Sequence, residues 1–110
     1  MNGHRVVALV SDLMDRSRLS VAVPGIELAS DLAAVAGADV VVVDLTRHAG
    51  ALADVRSRAP DAFLVAYGPH VDDAALEAAR SAGADRVLPR SRFFKDAAAA
   101  LSRDEQPPDR

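Results

Sequence analysis

The chain contains no cysteine, which removes disulfides, thiolate metal sites and thiol catalysis together. Aromatic residues are only 4% of its 110 positions, so the core must be built mainly from aliphatic side chains, and the abundance of alanine points to helices packed closely on a sheet. Long apolar runs are also missing. The first run, Val6 to Val10, is too short for a signal h-region, and no later one could span a bilayer, so a cytoplasmic protein with no membrane contact is expected. The glycine-rich nucleotide fingerprints and any recognisable nucleophile triad are absent, and the chain is not expected to be an enzyme. A net charge of −3 argues against a nucleic-acid surface. Arg86, Arg90, Arg92 and Lys95 nevertheless form a local basic cluster, which reads as a solvated rim.

What is present is organised around Ala38-Asp39-Val40-Val41-Val42-Val43-Asp44-Leu45. An unbroken β-branched run reads as a parallel strand covered on both faces, because a strand with one wet face would alternate apolar with polar. Val6 to Val10 is a first strand ending at Ser11-Asp12. Leu13 to Val23 reads as a helix stopped by Pro24-Gly25. Ile26 to Ala29 reads as a short edge strand, followed by a brief helix capped by Ser30. Thr46 to Gly50 is expected as a loop and Leu52 to Ala59 as a helix. Ala62 to Tyr67 is the fourth strand, followed by a turn at Gly68-Pro69-His70. Asp72 or Asp73 opens an alanine-rich helix reaching Ala82, and Arg86 to Leu88 is the fifth strand. Ser91 is expected to cap a last helix whose core stripe is Phe94, Ala97, Ala98 and Leu101.

Ala36-Gly37-Ala38-Asp39 recurs as Ala82-Gly83-Ala84-Asp85. Each glycine falls where a helix ends and the backbone must reverse through positive φ. Strands alternating with helices imply an α/β fold: a parallel five-stranded sheet in the flavodoxin-like order 2-1-3-4-5, with helices on both faces in three layers. A single domain over residues 1–103 is expected, with a disordered C-terminal tail over 104–110.

In that order Asp12, Asp44, Gly68-Pro69-His70 and Pro89-Arg90 converge on the carboxyl edge of the sheet, where open α/β folds place their sites. At these residues the chain resembles a receiver domain of the response-regulator, CheY-like type, over roughly residues 5–103. Asp39 to Leu45 is similar to the strand carrying the phosphoacceptor aspartate, and Ala78 to Leu88 to the family's fourth helix and fifth strand. The resemblance implies Asp44 as phosphoacceptor, and Mg²⁺ held by Asp12, Asp44 and the Thr46 backbone carbonyl, a hard cation on oxygen ligands suited to in-line phosphoryl transfer. It also implies a stand-alone signalling domain acting through protein contacts, with a sensor kinase or downstream target as partner, or a homodimer.

Five positions depart from the family pattern. Ser11 stands where the first of two acids is usual, and Gly68 where a hydroxyl binds the phosphoryl group. Arg90 replaces the lysine, Ser91 the following proline, and Val87 the aromatic switch residue. The pattern is therefore that of an atypical or pseudo-receiver. Plainer readings stand beside it: Asp12 as a helix cap, Asp44 as a structural acid, and Gly68 as a turn residue. The alternative function is a flavodoxin-like protein that binds a small ligand or a metal, with His48 and His70 joining Asp12 and Asp44.

Two contacts are expected from geometry. Arg90 should pair with Asp44, whose charge would otherwise be buried alone. Phe93 should face outward as an interface anchor, since Phe94 occupies the core stripe and adjacent helical residues diverge by about 100°, the plainer reading being that Phe93 covers the edge of the fifth strand within the monomer.

Overall fold

Val40–Asp44 is a strand buried at every position, and its alternating side chains serve two cores. Val41 and Val43 join one apolar cluster, and Val40 and Val42 join another. That division is what a β-branched run covered on both faces requires. The computed structural model of the chain describes residues 5–69 and 71–103. Its strands are β1 (Val6–Leu9), β2 (Glu27–Ala29), β3 (Val40–Asp44), β4 (Phe63–Gly68) and β5 (Arg86–Pro89). All pairings are parallel and the order is 2-1-3-4-5, as the alternation of elements in the sequence implies.

The helices are α1 (Leu13–Ala22), α2 (Leu45–His48), α3 (Leu52–Arg58), α4 (Asp73–Ser81), α5 (Arg90–Lys95) and α6 (Ala97–Ala100), with 3₁₀ turns at Leu32–Val35 and Ala49–Ala51. Leu19, Phe93, Ala97 and Ala100 bring α1, α5 and α6 onto one face, against Val10, Val42, Val65 and Tyr67. Val35, Val55, Leu76 and Ala79 bring the first 3₁₀ turn, α3 and α4 onto the other, against Leu9, Val43, Leu64 and Ala66. Three layers result.

Local details differ from the expectations in three places. Asp31, not Ser30, caps the 3₁₀ turn, its carboxylate accepting from the Ala33 N–H at 2.9 Å. The stretch expected as a loop after Asp44 is helical, because the Asp44 carboxylate accepts the Thr46 N–H at 3.0 Å and starts α2. The last helix begins at Arg90 directly after Pro89, without a Ser91 cap, and breaks at Asp96. Asp96 restarts it by accepting the Ala99 N–H at 3.1 Å.

The repeated Ala-Gly-Ala-Asp segment does the same work twice. Gly37 and Gly83 have φ of +79° and +113°, the left-handed region glycine enters with least strain. Asp39 then exchanges two bonds with Arg5: its N–H donates to the Arg5 carbonyl at 2.9 Å, and its carboxylate accepts the Arg5 N–H at 2.7 Å. Asp85 exchanges the same two bonds with Leu64, at 2.8 and 2.9 Å. An arginine braces each joint from below. Arg5 donates to the Ala36 carbonyl and Arg56 to the Gly83 carbonyl. The repeat thus sets the starting register of β3 against β1 and of β5 against β4, which carries their far ends to a common edge.

Candidate functional site at the carboxyl edge of the sheet

Asp44 ends β3 and is buried, opposite Tyr67 in the β3–β4 ladder. One carboxylate oxygen caps α2; the other has no hydrogen-bond partner among the described residues. Asp12, at the start of α1, is exposed, and its carboxylate accepts the Asp15 N–H at 3.0 Å. It is a helix cap, as the plainer reading held. Ser11 lies 2.9 Å from His48 Nε2, oxygen to nitrogen, so the residue standing where an acid is usual is paired with a ring from the end of α2. Thr46 is exposed in the first turn of α2. His70 lies outside the described residues, as do the N-terminal residues 1–4 and the tail from Asp104 to Arg110.

Gly68 is the last residue of β4 rather than a turn residue, and it is buried. A Cβ there would meet Leu45 Cβ at 3.2 Å and Leu45 Cδ1 at 3.3 Å, with Leu76 Cδ2 at 3.7 Å. A side chain there would be tight against Leu45, which would have to give by a few tenths of an ångström.

The expected Arg90–Asp44 pair is not what forms. Arg90 instead donates through Nη1 and Nη2 to both carboxylate oxygens of Asp15, on α1, and the Tyr67 hydroxyl donates to Asp15 Oδ2 at 2.9 Å. Asp15 is fully buried. A carboxylate there costs several kcal/mol unless it is paired and hydrogen-bonded, and the bidentate fork plus the phenol meets that demand. Burial alone would raise the Asp15 carboxyl. Hydrogen bonds from Arg90 and Tyr67, with the charges of Arg90 and Arg18, outweigh burial and hold it below the ordinary carboxylate value. Burial, the bond to Asp15 and the negative charges of Asp44 and Asp15 hold the Tyr67 phenol well above its usual range. Asp44 thus makes itself felt at Tyr67, while Arg90 is turned to the other acid.

Asp15 escaped the reading of the sequence, although a signal was there. It sits four residues before Leu19 on the buried side of α1, and an acid in an apolar stripe calls for a cation. Arg90 was the available one.

Phe93 does not face outward. It is fully buried and stacks on Tyr67, with centroids 4.6 Å apart and planes 11° apart. Phe94 is the partly buried member of the pair, edge-on to both rings at 5.2 and 4.9 Å. The buried stripe is Phe93, Ala97, Ala100 and Leu101, and Ala98 is exposed. Either phenylalanine is compatible with helical spacing to Ala97; the Tyr67 ring, reached across the sheet, selects Phe93. The basic cluster is likewise not all solvated rim. Arg86 donates to the Ala100 and Ser102 carbonyls and lies 4.8 Å from the Phe63 ring centroid, and Arg90 is held by Asp15.

Mg²⁺ is usually held by one or two carboxylates together with phosphate oxygens and waters. Among the described residues no three His, Cys, Asp or Glu side chains come together to hold a metal ion. Ser11 brings no charge, one oxygen of each of Asp12 and Asp44 is engaged by a backbone N–H, and Asp15 is closed off by Arg90. Asp12 and Asp44, each with one carboxylate oxygen outside its cap bond, are the acids left at this edge that could hold a hard cation. No helix among them is long and apolar enough to cross a membrane.

No protein-family model and no curated protein matches the chain. Solved structures do. A CheY-like protein, TadZ of Pseudomonas aeruginosa, is 20% identical with a TM-score of 0.70, each chain covered completely. A response regulator from Burkholderia pseudomallei, described with a phosphorylated aspartic acid, a calcium ion and citrate, is 17% identical with a TM-score of 0.69. That match covers 90% of this chain and 66% of that one. A response regulator from Thermotoga maritima is 14% identical with a TM-score of 0.66, over 88% of this chain and 96% of that one. With the sheet order, the layers and these likenesses together, the chain has the CheY-like receiver fold.

Proposed function

We propose that the protein is a receiver-like signalling module that acts through protein contacts and keeps one pocket conformation without phosphorylation, a pseudo-receiver and not an enzyme. The observation that carries this reading is the pairing of Arg90 with Asp15 in place of Asp44. At the position where the family's lysine would answer an acyl phosphate, a permanently charged guanidinium is already neutralised by a buried acid. Gly68 supports the same reading, because it brings no hydroxyl to the edge and a Cβ there would be crowded by Leu45. A soluble partner, such as a kinase or a downstream target, is the expected counterpart, with neither nucleic acid nor membrane involved.

The second reading is phosphorylation of Asp44 with Mg²⁺. It is favoured by the carboxylate oxygen of Asp44 that lacks a partner among the described residues, and by the phosphorylated aspartic acid and calcium ion recorded for the Burkholderia regulator. Incubation with Mg²⁺ and a small acyl phosphate, or with beryllofluoride, followed by intact-mass and fluorescence measurements separates the two. The pseudo-receiver gives no adduct. An adduct that disappears in Asp44→Asn establishes the phosphoacceptor instead.

A further inference from the structure

The amino edge of the sheet, at the far end of the strands from Asp44, holds a cleft of about 410 Å³, within the ~300–1,000 Å³ range of small-molecule sites. Its walls are Arg56 of α3, Pro60 and Asp61 in the turn before β4, Phe63 at the first position of β4, Asp85 just before β5, and Arg103 after α6. Two of its charges are committed to the fold. Arg56 donates to the Pro60, Ala62 and Gly83 carbonyls and to Asp85 Oδ2, which also accepts the Leu64 N–H. These bonds tie α3, the turn and the joint before β5 into one frame.

Arg103 and Asp61 are not committed in this way. Both are exposed. Arg103 lies 5.5 Å from the Phe63 ring centroid, and its Nη2 donates to the Asp61 backbone carbonyl at 3.1 Å. Its other N–H groups meet no acceptor among the described residues, and it forms no salt bridge with a described carboxylate. The Asp61 carboxylate and Asp85 Oδ1 accept no hydrogen bond from a described residue either. Charge then narrows what fits. A phosphate would meet the carboxylates of Asp61 and Asp85, and a metal ion or simple amine would meet the guanidinium groups of Arg56 and Arg103; like charges oppose both. A small molecule carrying one charge of each sign on neighbouring atoms meets neither penalty, and the contact between Arg103 and the Asp61 carbonyl keeps the two uncommitted charges in the same corner of the cleft.

We propose that this cleft binds a free α-amino acid, its carboxylate pairing with the uncommitted N–H groups of Arg103 and its ammonium donating to Asp61 and to Asp85 Oδ1. A planar guanidinium suits a carboxylate because two parallel N–H groups can meet its two oxygens, and an ammonium brings three donors to oxygens that otherwise have none. The Phe63 ring backs Arg103 and is also approached by Arg86 at 4.8 Å, so the guanidinium is held at the cleft by a cation–π contact before any ligand arrives. The inference goes beyond the protein-contact reading. It involves neither Asp44 nor Arg90, so it fails or stands separately from the phosphorylation test.

The test titrates the full chain, labelled with ¹⁵N, with each standard L-α-amino acid in turn at neutral pH, and follows the backbone amide shifts. At least one amino acid is expected to bind, with shifts confined to the turn at Asp61, the starts of β4 and β5, and Arg103. For that amino acid, the N-acetyl derivative, which lacks the ammonium, and the α-carboxamide, which lacks the carboxylate, should each bind at least about tenfold more weakly. This comparison needs no variant of the protein. Arg103→Gln and Asp61→Asn, both at exposed positions, should each weaken binding by a similar factor, whereas Arg47→Gln on the exposed side of α2 at the other edge should leave it unchanged. Absence of shifts with every amino acid, shifts mapping to the carboxyl edge, equal binding of the N-acetyl or carboxamide derivative, or binding indifferent to Arg103→Gln and Asp61→Asn would each overturn the proposal.

Discussion

Arg90 and Asp15 are 75 positions apart in sequence, and their bidentate pair joins the start of α5 to the inner face of α1 beside the Tyr67 hydroxyl. The pair fixes the α1 and α5 layer on the sheet and withdraws the edge cation from Asp44. Removing Arg90 leaves a fully buried carboxylate with only the phenol. Arg90→Met should therefore cost about 2–3 kcal/mol in denaturant unfolding, below the upper range for buried pairs because the Arg90 side chain is 41% exposed. The Asp15→Leu/Arg90→Met double variant should be more stable than the sum of the single losses. Arg90→Ala combined with Asp44→Ala should instead be additive within about 0.5 kcal/mol.

The same network sets the response to pH. The folded Asp15 carboxyl titrates below its unfolded value of about 3.9, so its stabilisation is complete above that pH and is lost as pH falls through the lowered folded value. The folded Tyr67 phenol titrates above its unfolded value of about 10, so its contribution is complete below that pH and declines as pH rises beyond it. Unfolding free energies measured across pH should show both declines. Asp15→Asn should flatten the acid limb and Tyr67→Phe the alkaline one; limbs unchanged by these substitutions would remove the network as their cause.

Gly68→Thr should not create a working phosphate contact. Its Cβ would press on Leu45 at 3.2 Å, and overpacking of this kind costs about 1–3 kcal/mol. Combining it with Leu45→Ala should recover part of the loss, seen as a coupling term in a denaturant double-mutant cycle. Full stability of Gly68→Thr alone would show that the pocket has more room than its packing indicates.

The two joint aspartates should differ in weight. Asp85→Ala unpairs the N–H of buried Leu64 and also removes the carboxylate partner of Arg56, whereas Asp39→Ala unpairs the N–H of the half-buried Arg5. Asp85→Ala should cost about 1–3 kcal/mol and exceed Asp39→Ala. Hydrogen exchange at the Leu64 amide should accelerate in Asp85→Ala and not in Asp39→Ala.

The sheet was legible because its signal is periodic and local. The four valines, the apolar run from Val6 and the repeated Ala-Gly-Ala-Asp joints leave little freedom in strand count or order. The edge was legible only as a place. Asp44, Arg90 and Gly68 all reach it, but the choice of partner for Arg90 depends on Asp15 reaching inward from α1. Sequence spacing cannot rank one acid against another across 75 positions. Phe93 and Phe94 pose the same problem on a smaller scale, since both satisfy the helical period and only the Tyr67 ring distinguishes them. The helical start after Asp44 was hidden because its cap is also the candidate site residue.

The guanidinium resonances of Arg90 report its partner most directly. With ¹⁵N labelling, the Arg90 side-chain N–H signals should be slowly exchanging, should collapse in Asp15→Asn, and should remain in place in Asp44→Asn and on addition of Mg²⁺ with beryllofluoride. Signals that instead follow Asp44, shifting with beryllofluoride and collapsing in Asp44→Asn while ignoring Asp15→Asn, would contradict the pairing and return Arg90 to a phosphorylation site.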